Sequence, residues 1–76
     1  MDIENTTLQI LRTVLEREDI DHTCSKETCE EWDSLRQLNI AFALEEKFNV
    51  LLSPEEIMGL SSFDSIVSNI KTKLNI

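Results

Sequence analysis

The amino-acid sequence predicts an all-α fold: a small four-helix bundle of three longer helices and one short helix. The 76 residues include a single glycine, Gly59, and a single proline, Pro54. An all-β fold needs turn residues at short intervals, so their scarcity favours helices. With 41% apolar and 29% charged residues, the composition is that of a folded protein. Residues 1–76 are expected to form one domain, near the lower size limit for a hydrophobic core.

The first helix is predicted from about Glu4 to Arg17. Its apolar residues recur at intervals of three and four, which places them on one helical face. Thr6 followed by Gln9 could form a capping box and move the start by two or three residues. The predicted apolar face consists of Leu8, Ile10, Leu11, Val14 and Leu15.

Residues 18–32, "EDIDHTCSKETCEEW", show neither helical nor alternating periodicity. A loop of this length is unusual in a compact domain and is therefore a candidate functional loop. Ile20 and Trp32 are expected to anchor it through apolar contacts. Cys24 and Cys29 are expected to be free thiols, because nothing in the sequence indicates secretion.

Two kinds of metal site share some of the features of this loop. Residues 19–30 place oxygen-bearing side chains at the ligand positions of a calcium-binding EF-hand loop, but Cys24 stands where the sharp turn needs glycine. Cys24, Cys29 and His22 do not have the paired short spacings of a zinc site. The loop is therefore expected to be a solvated acidic segment or a weak cation binder, and no metal ligand is assigned.

The second helix is predicted to begin at Asp33 or Ser34 and to end near Phe48. Its apolar residues form two faces rather than one. The first face, expected in the core, consists of Ile40, Ala41, Leu44 and Phe48. The second face consists of Leu35, Leu38 and Phe42, flanked by Asn39, Glu45 and Glu46. An exposed second face would be a docking surface, and the alternative is that two neighbouring helices bury both faces.

Two further helices complete the bundle. Ser53 and Glu56 are expected to form a capping box around a short helix that starts at Pro54 and ends at Gly59. Asn49, before it, suits the left-handed end of the second helix. The last helix is expected to begin at a capping pattern formed by Ser61 and, three residues later, Asp64. Its buried face is predicted to be Phe63, Ile66, Val67, Ile70 and Leu74.

The net charge is −8, from 15 acidic and 7 basic residues. This balance disfavours nucleic acid and anionic membrane surfaces as ligands, since both attract clustered lysine and arginine. Basic protein partners are favoured instead. No apolar run is long enough to span a membrane, and no basic and apolar leader opens the chain. A cytoplasmic location is therefore expected.

Ser34 lacks the companions of a catalytic serine. His22 is the one histidine and lies in the loop, and a bundle of this size leaves little room for an oxyanion hole. The chain is therefore not expected to be an enzyme, and no catalytic residue is assigned. Two interpretations stay open. In the first, Ser34 forms a capping box with Gln37. In the second, Asp33 caps the helix and leaves the Ser34 hydroxyl exposed for a phosphoester.

The segment "WDSLRQLNIAFALEEKFNVLLSPEEI", followed by "SSFDSIVSNI", resembles an acyl carrier protein. The resemblance covers residues 32–74 closely and the first helix by pattern. It implies that Ser34 receives 4′-phosphopantetheine from coenzyme A through a phosphopantetheinyl transferase, with Asp33 helping to position the serine. It also implies that the thiol of the arm carries an acyl group as a thioester, and that a monomeric carrier delivers it to partner enzymes.

The resemblance also implies which residues meet those partners. The partners would be acyl-loading and acyl-processing enzymes with basic docking surfaces. The matching recognition positions are Leu35, Leu38, Phe42, Glu45 and Glu46. The positions that would both form the core and line a cavity for the acyl chain are Ile40, Ala43 and Leu44.

Three residues depart from the pattern of fatty-acid carriers. Trp32 stands where a small or aliphatic residue is usual, and Arg36 and Asn39 stand where acids are usual. These departures favour a specialised lipid, polyketide or polysaccharide pathway over bulk fatty acid biosynthesis. The alternatives are an aminoacyl carrier protein and a helical interaction module that is never modified.

Overall fold

The computed structural model describes residues 2–76 and confirms the all-α prediction. It contains three longer helices and one short helix, and α1 packs against both α2 and α4 while α3 packs against α2. An isolated antiparallel bridge joins Ser25 to Ser62. Within the described residues, no helix has the length and apolar character needed to cross a membrane. The helices are α1 (Ile3–Leu15), α2 (Ser34–Phe48), α3 (Pro54–Met58) and α4 (Phe63–Leu74).

The start of α1 at Ile3 lies one residue before the predicted Glu4, but its cap differs from the possible capping box. Asp2 is the cap, because its side chain accepts a hydrogen bond from the backbone N–H of Asn5 at 3.1 Å. The proposed capping box of Thr6 and Gln9 was therefore wrong, and both residues lie inside the helix. Asp2 and Thr6 both have short side chains that can accept a hydrogen bond at the start of a helix. The sequence alone therefore left the cap of α1 ambiguous.

The end of α1 also comes earlier than predicted. The helix stops at Leu15 because Glu16 adopts a left-handed conformation with φ 56°. The backbone N–H groups of Glu16 and Arg17 both donate hydrogen bonds to the carbonyl of Arg12, and these bonds cap the C-terminus of α1. Arg17 is thereby turned into the loop, where it pairs with Asp19.

The start and end of α3 agree with those predicted from the sequence. The Ser53 hydroxyl accepts the backbone N–H of Glu56, and the Glu56 carboxylate accepts the backbone N–H of Ser53 at 3.0 Å, as the predicted capping box requires. Pro54 takes the first helical position, and Gly59 follows the last turn with a right-handed backbone, φ −81°.

The cap of α4 lies one residue later than predicted. Ser62 accepts the backbone N–H of Ser65 at 3.1 Å, and the Ser65 hydroxyl accepts the backbone N–H of Ser62 in return. The predicted pair of Ser61 and Asp64 is therefore wrong. Ser61 instead uses its carbonyl to accept the backbone N–H of Lys26 at 2.9 Å, which joins the long loop to α4.

The core lies where α1, α2 and α4 meet, and the long loop closes one side of it. Ile20 and Trp32 are both buried, which confirms them as the anchors of the loop. The guanidinium of Arg12 holds the loop as well, because it donates two hydrogen bonds to the carbonyl of Ile20 at 2.8 and 3.0 Å. The buried residues of the three long helices include Ile10, Leu11, Leu15, Ile40, Ala41, Leu44, Phe48, Phe63, Ile66, Val67 and Ile70.

Candidate functional site

Asp33 rather than Ser34 caps α2. The Asp33 carboxylate accepts the backbone N–H of Arg36 at 2.9 Å. Ser34 is the first residue of the helix, its side chain is exposed, and its hydroxyl makes no hydrogen bond within residues 2–76. Of the two interpretations left open by the sequence, the structure therefore selects the one with a free hydroxyl, and the capping box with Gln37 does not form.

Gln37 has a different role beside Ser34. It is buried, and its side-chain amide donates a hydrogen bond to the carbonyl of Ile57 at 2.5 Å. The same carbonyl also accepts the backbone N–H of Leu60 at 3.2 Å, so the Gln37 bond is a second contact that holds the short helix against the start of α2. The position of α3 relative to Ser34 therefore depends on a buried polar contact.

Ser34 opens onto a surface pocket of about 290 Å³, which we call the Ser34 pocket. One wall comes from α2, the second from α3, and the third from the long loop, which contributes Lys26. Met58 at the end of α3 is 79% exposed, so the pocket has an apolar rim. The lining residues are Lys26, Ser34, Gln37, Leu38, Ile57 and Met58.

The second apolar face of α2 is exposed to solvent. Leu35, Leu38 and Phe42 are 67%, 42% and 57% exposed, respectively, and we call these three residues the exposed strip. The interpretation in which neighbouring helices bury both faces was wrong. Leu38 belongs both to the exposed strip and to the Ser34 pocket, so the two features are continuous.

The two predicted acidic recognition residues have different environments. Glu46 is exposed and lies one turn beyond Phe42 along the same side of α2. Glu45 is half-buried, and its carboxylate accepts the backbone N–H of Leu52 at 2.9 Å. Glu45 therefore stabilises the connection between α2 and α3.

Arg36, the basic departure from the family pattern, is surrounded by acids. Its guanidinium lies 3.7 Å from the Asp33 carboxylate and 3.8 Å from that of Glu16. It also donates a hydrogen bond to the carbonyl of Glu31 at 3.5 Å. The negative charges of Asp33 and Glu16 partly offset the positive charge that Arg36 places next to Ser34.

Asp19 and Asp21, two acidic residues of the long loop, have different partners. Asp19 forms an ion pair with Arg17 at 2.6 Å, and this hydrogen bond lowers the pKa of Asp19. Asp21 accepts hydrogen bonds from the hydroxyl and the backbone N–H of Thr23, which lower the pKa of Asp21. In the described part of the chain, no three His, Cys, Asp or Glu side chains are grouped closely enough to hold a metal ion.

The residues implied for the acyl-chain cavity are not equivalent. Ile40 and Leu44 are fully buried in the core. Ala43 lines a surface pocket of about 230 Å³ between α1 and α2, together with Ile10 and Val14. The structure thus separates Ala43 from the two core residues with which it was grouped.

Sequence reasoning missed Lys26 and Met58. Lys26 lies eight residues before Ser34 in an irregular segment, and only the fold brings it into the same pocket. Met58 belongs to a five-residue helix, which is too short to show a periodic pattern. The bridge between Ser25 and Ser62 holds the Lys26 segment near α3 and α4. No pattern in the sequence predicts this bridge.

Comparison with known proteins does not assign the chain to a family. No protein-family model matches it, and no curated protein matches it significantly. The functional interpretation therefore depends on the residues around Ser34.

Proposed function

We propose that this protein is an acyl carrier protein that bears 4′-phosphopantetheine on Ser34. The observation that carries the proposal is that Asp33 caps α2 while the exposed Ser34 hydroxyl makes no hydrogen bond within residues 2–76. A hydroxyl needed as a helix cap could not be esterified without loss of that cap. The division of roles between the two neighbours removes this conflict.

The surroundings of Ser34 fit a phosphoester. The first turn of α2 has backbone N–H groups without helical partners and the positive end of the helix dipole, and both favour an anionic group. Lys26 adds a positive charge to the Ser34 pocket. Leu38 and Met58 offer apolar contacts next to the arm. Once attached, the arm would supply a terminal thiol for carrying an acyl group as a thioester.

The exposed strip supports the docking of partner enzymes. Three large apolar side chains in one row on an exposed helix are unusual for a surface without partners. The strip begins beside Ser34, so an enzyme bound to it would reach the modified serine. With Glu46 on the same side of α2 and a net charge of −8, an enzyme with a basic docking surface is favoured.

The surface around α2 supports a specialised pathway rather than bulk fatty acid synthesis. Arg36 occupies the first turn beyond Ser34 and Asn39 follows on the next, so this side of α2 has fewer acids than a fatty-acid carrier. An aminoacyl cargo is the second candidate within the same mechanism. It predicts loading by an enzyme that adenylates an amino acid, rather than by an acyl transferase.

Transfer of phosphopantetheine tests the proposal. The protein is incubated with coenzyme A, magnesium and a broad-specificity phosphopantetheinyl transferase, and its intact mass is measured. Wild type should gain the mass of one phosphopantetheine group, and Ser34→Ala should gain none. If neither protein is modified while a control carrier is, the unmodified interaction module becomes the better interpretation.

A further inference from the structure

Cys24 and Cys29 are two free thiols held side by side in the long loop. Their Sγ atoms lie 3.1 Å apart, about 1 Å further than in a disulfide bond, and each residue is 5% exposed. Neither residue contributes to the Ser34 pocket or to the exposed strip, so the proposed carrier function does not use them.

The backbone between the two cysteines forms a tight turn that keeps them together. The backbone N–H of Ser25 donates to the Thr28 hydroxyl at 3.0 Å, and the backbone N–H of Cys29 donates to the carbonyl of Ser25 at 3.0 Å. Outside the turn, the carbonyl of Cys24 accepts the backbone N–H of Phe63 at 2.9 Å. Closing the remaining distance between the sulfur atoms therefore needs little movement of the chain.

A solvent path reaches the pair. Both cysteines line a surface pocket of about 150 Å³, together with Asp21 and Thr28. A small disulfide can therefore approach the sulfur atoms from this side after a modest movement of the loop. Burial and the neighbouring thiol raise the pKa of Cys24 to about 12, so the reaction at neutral pH is slow.

We propose that Cys24 and Cys29 form a reversible disulfide that locks the segment carrying Lys26 beside the Ser34 pocket. Reversible disulfides in reducing compartments are usually catalytic or redox-sensing. The proposal is independent of the carrier function, because it concerns the loop and not the modification of Ser34. If the protein is a carrier and also forms this disulfide, the redox state of the two cysteines sets the mobility of one wall of the Ser34 pocket.

The chemistry is thiol–disulfide exchange with a low-molecular-weight disulfide such as glutathione disulfide. One cysteine loses its proton to solvent, and its thiolate attacks a glutathione sulfur, which releases one glutathione thiolate and leaves a mixed disulfide. The second cysteine, also deprotonated, attacks the protein sulfur of the mixed disulfide and releases the second glutathione. Two protein thiols are oxidised, and one glutathione disulfide is reduced to two thiols.

The test compares disulfide formation in the folded and the unfolded chain. The full-length protein is equilibrated in oxidised and reduced glutathione, with and without guanidinium, then quenched with acid, alkylated under denaturing conditions and weighed by mass spectrometry. The native chain should form the internal disulfide with an equilibrium constant ~10-fold or more above that of the unfolded chain, because native geometry brings the sulfurs together. The oxidised protein should melt about 5–10 °C higher than the reduced one.

Cys24→Ser and Cys29→Ser are the matched controls, and neither should gain the higher melting temperature of the oxidised wild type, because each can form only a mixed glutathione adduct. Amide hydrogen exchange at Lys26 should be slower in the oxidised wild type than in the reduced one. An equilibrium constant no higher in the native chain than in guanidinium would overturn the disulfide. Accumulation of mixed glutathione adducts without internal closure would overturn it as well, and unchanged exchange at Lys26 would overturn the locking.

Discussion

The Asp33 carboxylate accepts a hydrogen bond from the backbone N–H of Arg36 at 2.9 Å, and this contact caps α2. Ser34 lies between the two residues with its hydroxyl exposed and unbonded within residues 2–76. Stabilising the start of the helix and presenting a reactive hydroxyl are therefore tasks of two different side chains. This division has consequences that can be measured without any partner enzyme.

Asp33→Ala should destabilise the protein, and Ser34→Ala should not. Loss of a helix cap costs about 1 kcal/mol, which lowers the melting temperature of a domain of this size by about 4–8 °C. Ser34→Ala should stay within ~0.5 kcal/mol of wild type, as exposed substitutions usually do. Thermal unfolding followed by circular dichroism measures both, and Asp33→Asn should restore the cap. The reverse order of the two alanine variants would show that Ser34 is the cap.

The exposed strip should contribute little to stability. Phe42→Ala removes a side chain that is 57% exposed, so we expect a loss of less than about 1 kcal/mol. Leu44→Ala, on the buried face of the same helix, should cost about 2–5 kcal/mol. Denaturant titrations compare the two. Comparable losses would place Phe42 in the core and remove the argument for a docking surface.

Glu56 should make the protein sensitive to acid. Its carboxylate lies 2.7 Å from the Lys73 ammonium and also accepts the Ser53 backbone N–H and the Asn69 amide. These contacts, the Lys73 hydrogen bond foremost, lower the pKa of Glu56 from 4.5 to about 2. A carboxylate with a lower pKa in the folded state stabilises the fold above its unfolded pKa, and this contribution is lost as the pH falls from about 4.5 towards 2.

Melting temperatures of wild type and Glu56→Gln at about pH 6.5 and about pH 2.5 measure this effect. Wild type should melt higher near neutrality, and the difference should shrink in acid. Glu55→Gln is the matched control, because Glu55 is exposed on the same helix and makes no side-chain hydrogen bond within the described chain. A difference for Glu56→Gln that does not depend on pH would refute the ion-pair explanation.

Thr7→Val should stabilise the protein. Thr7 is fully buried, and its hydroxyl is without a hydrogen-bond partner among the described residues. Valine has nearly the same shape and removes the desolvated hydroxyl, so we expect a gain of about 1 kcal/mol. Thr13→Val, at an exposed position of the same helix, should be close to neutral. A loss of stability on Thr7→Val would show that the hydroxyl is bonded in solution.

Local sequence signals predicted the helices well where one pattern was unambiguous. The capping box of Ser53 and Glu56 and the left-handed Asn49 were both correct, because each depends on side chains within a few residues. The start of α1 was correct to within one residue, but its alternative cap and the cap of α4 were wrong, because several short acceptor side chains stand near each helix start. Which acceptor bonds the free N–H groups is decided by packing, and the sequence does not show it.

The candidate site was predictable only in part. Ser34 and the exposed strip follow from helical periodicity and from the resemblance of residues 32–74 to a carrier. Lys26 and Met58 reach the Ser34 pocket through tertiary structure, because one lies in a loop without periodicity and the other in a helix too short to show a pattern. The contact of Cys24 with Cys29 is local, but it depends on a turn that the residues between them do not identify. The buried hydrogen bond from Gln37 to Ile57 was hidden because it joins residues 20 apart in the chain.

The location of the phosphopantetheine group decides whether Ser34 is the site of modification. Protein treated with coenzyme A and a phosphopantetheinyl transferase is digested, and the modified peptide is fragmented in a mass spectrometer. Ser53→Ala and Ser62→Ala, which remove hydroxyls used as helix caps, should be modified like wild type, and Ser34→Ala should not be modified. We expect a single modified residue, Ser34. Modification of another serine, or of none beside a carrier that is modified, would contradict it.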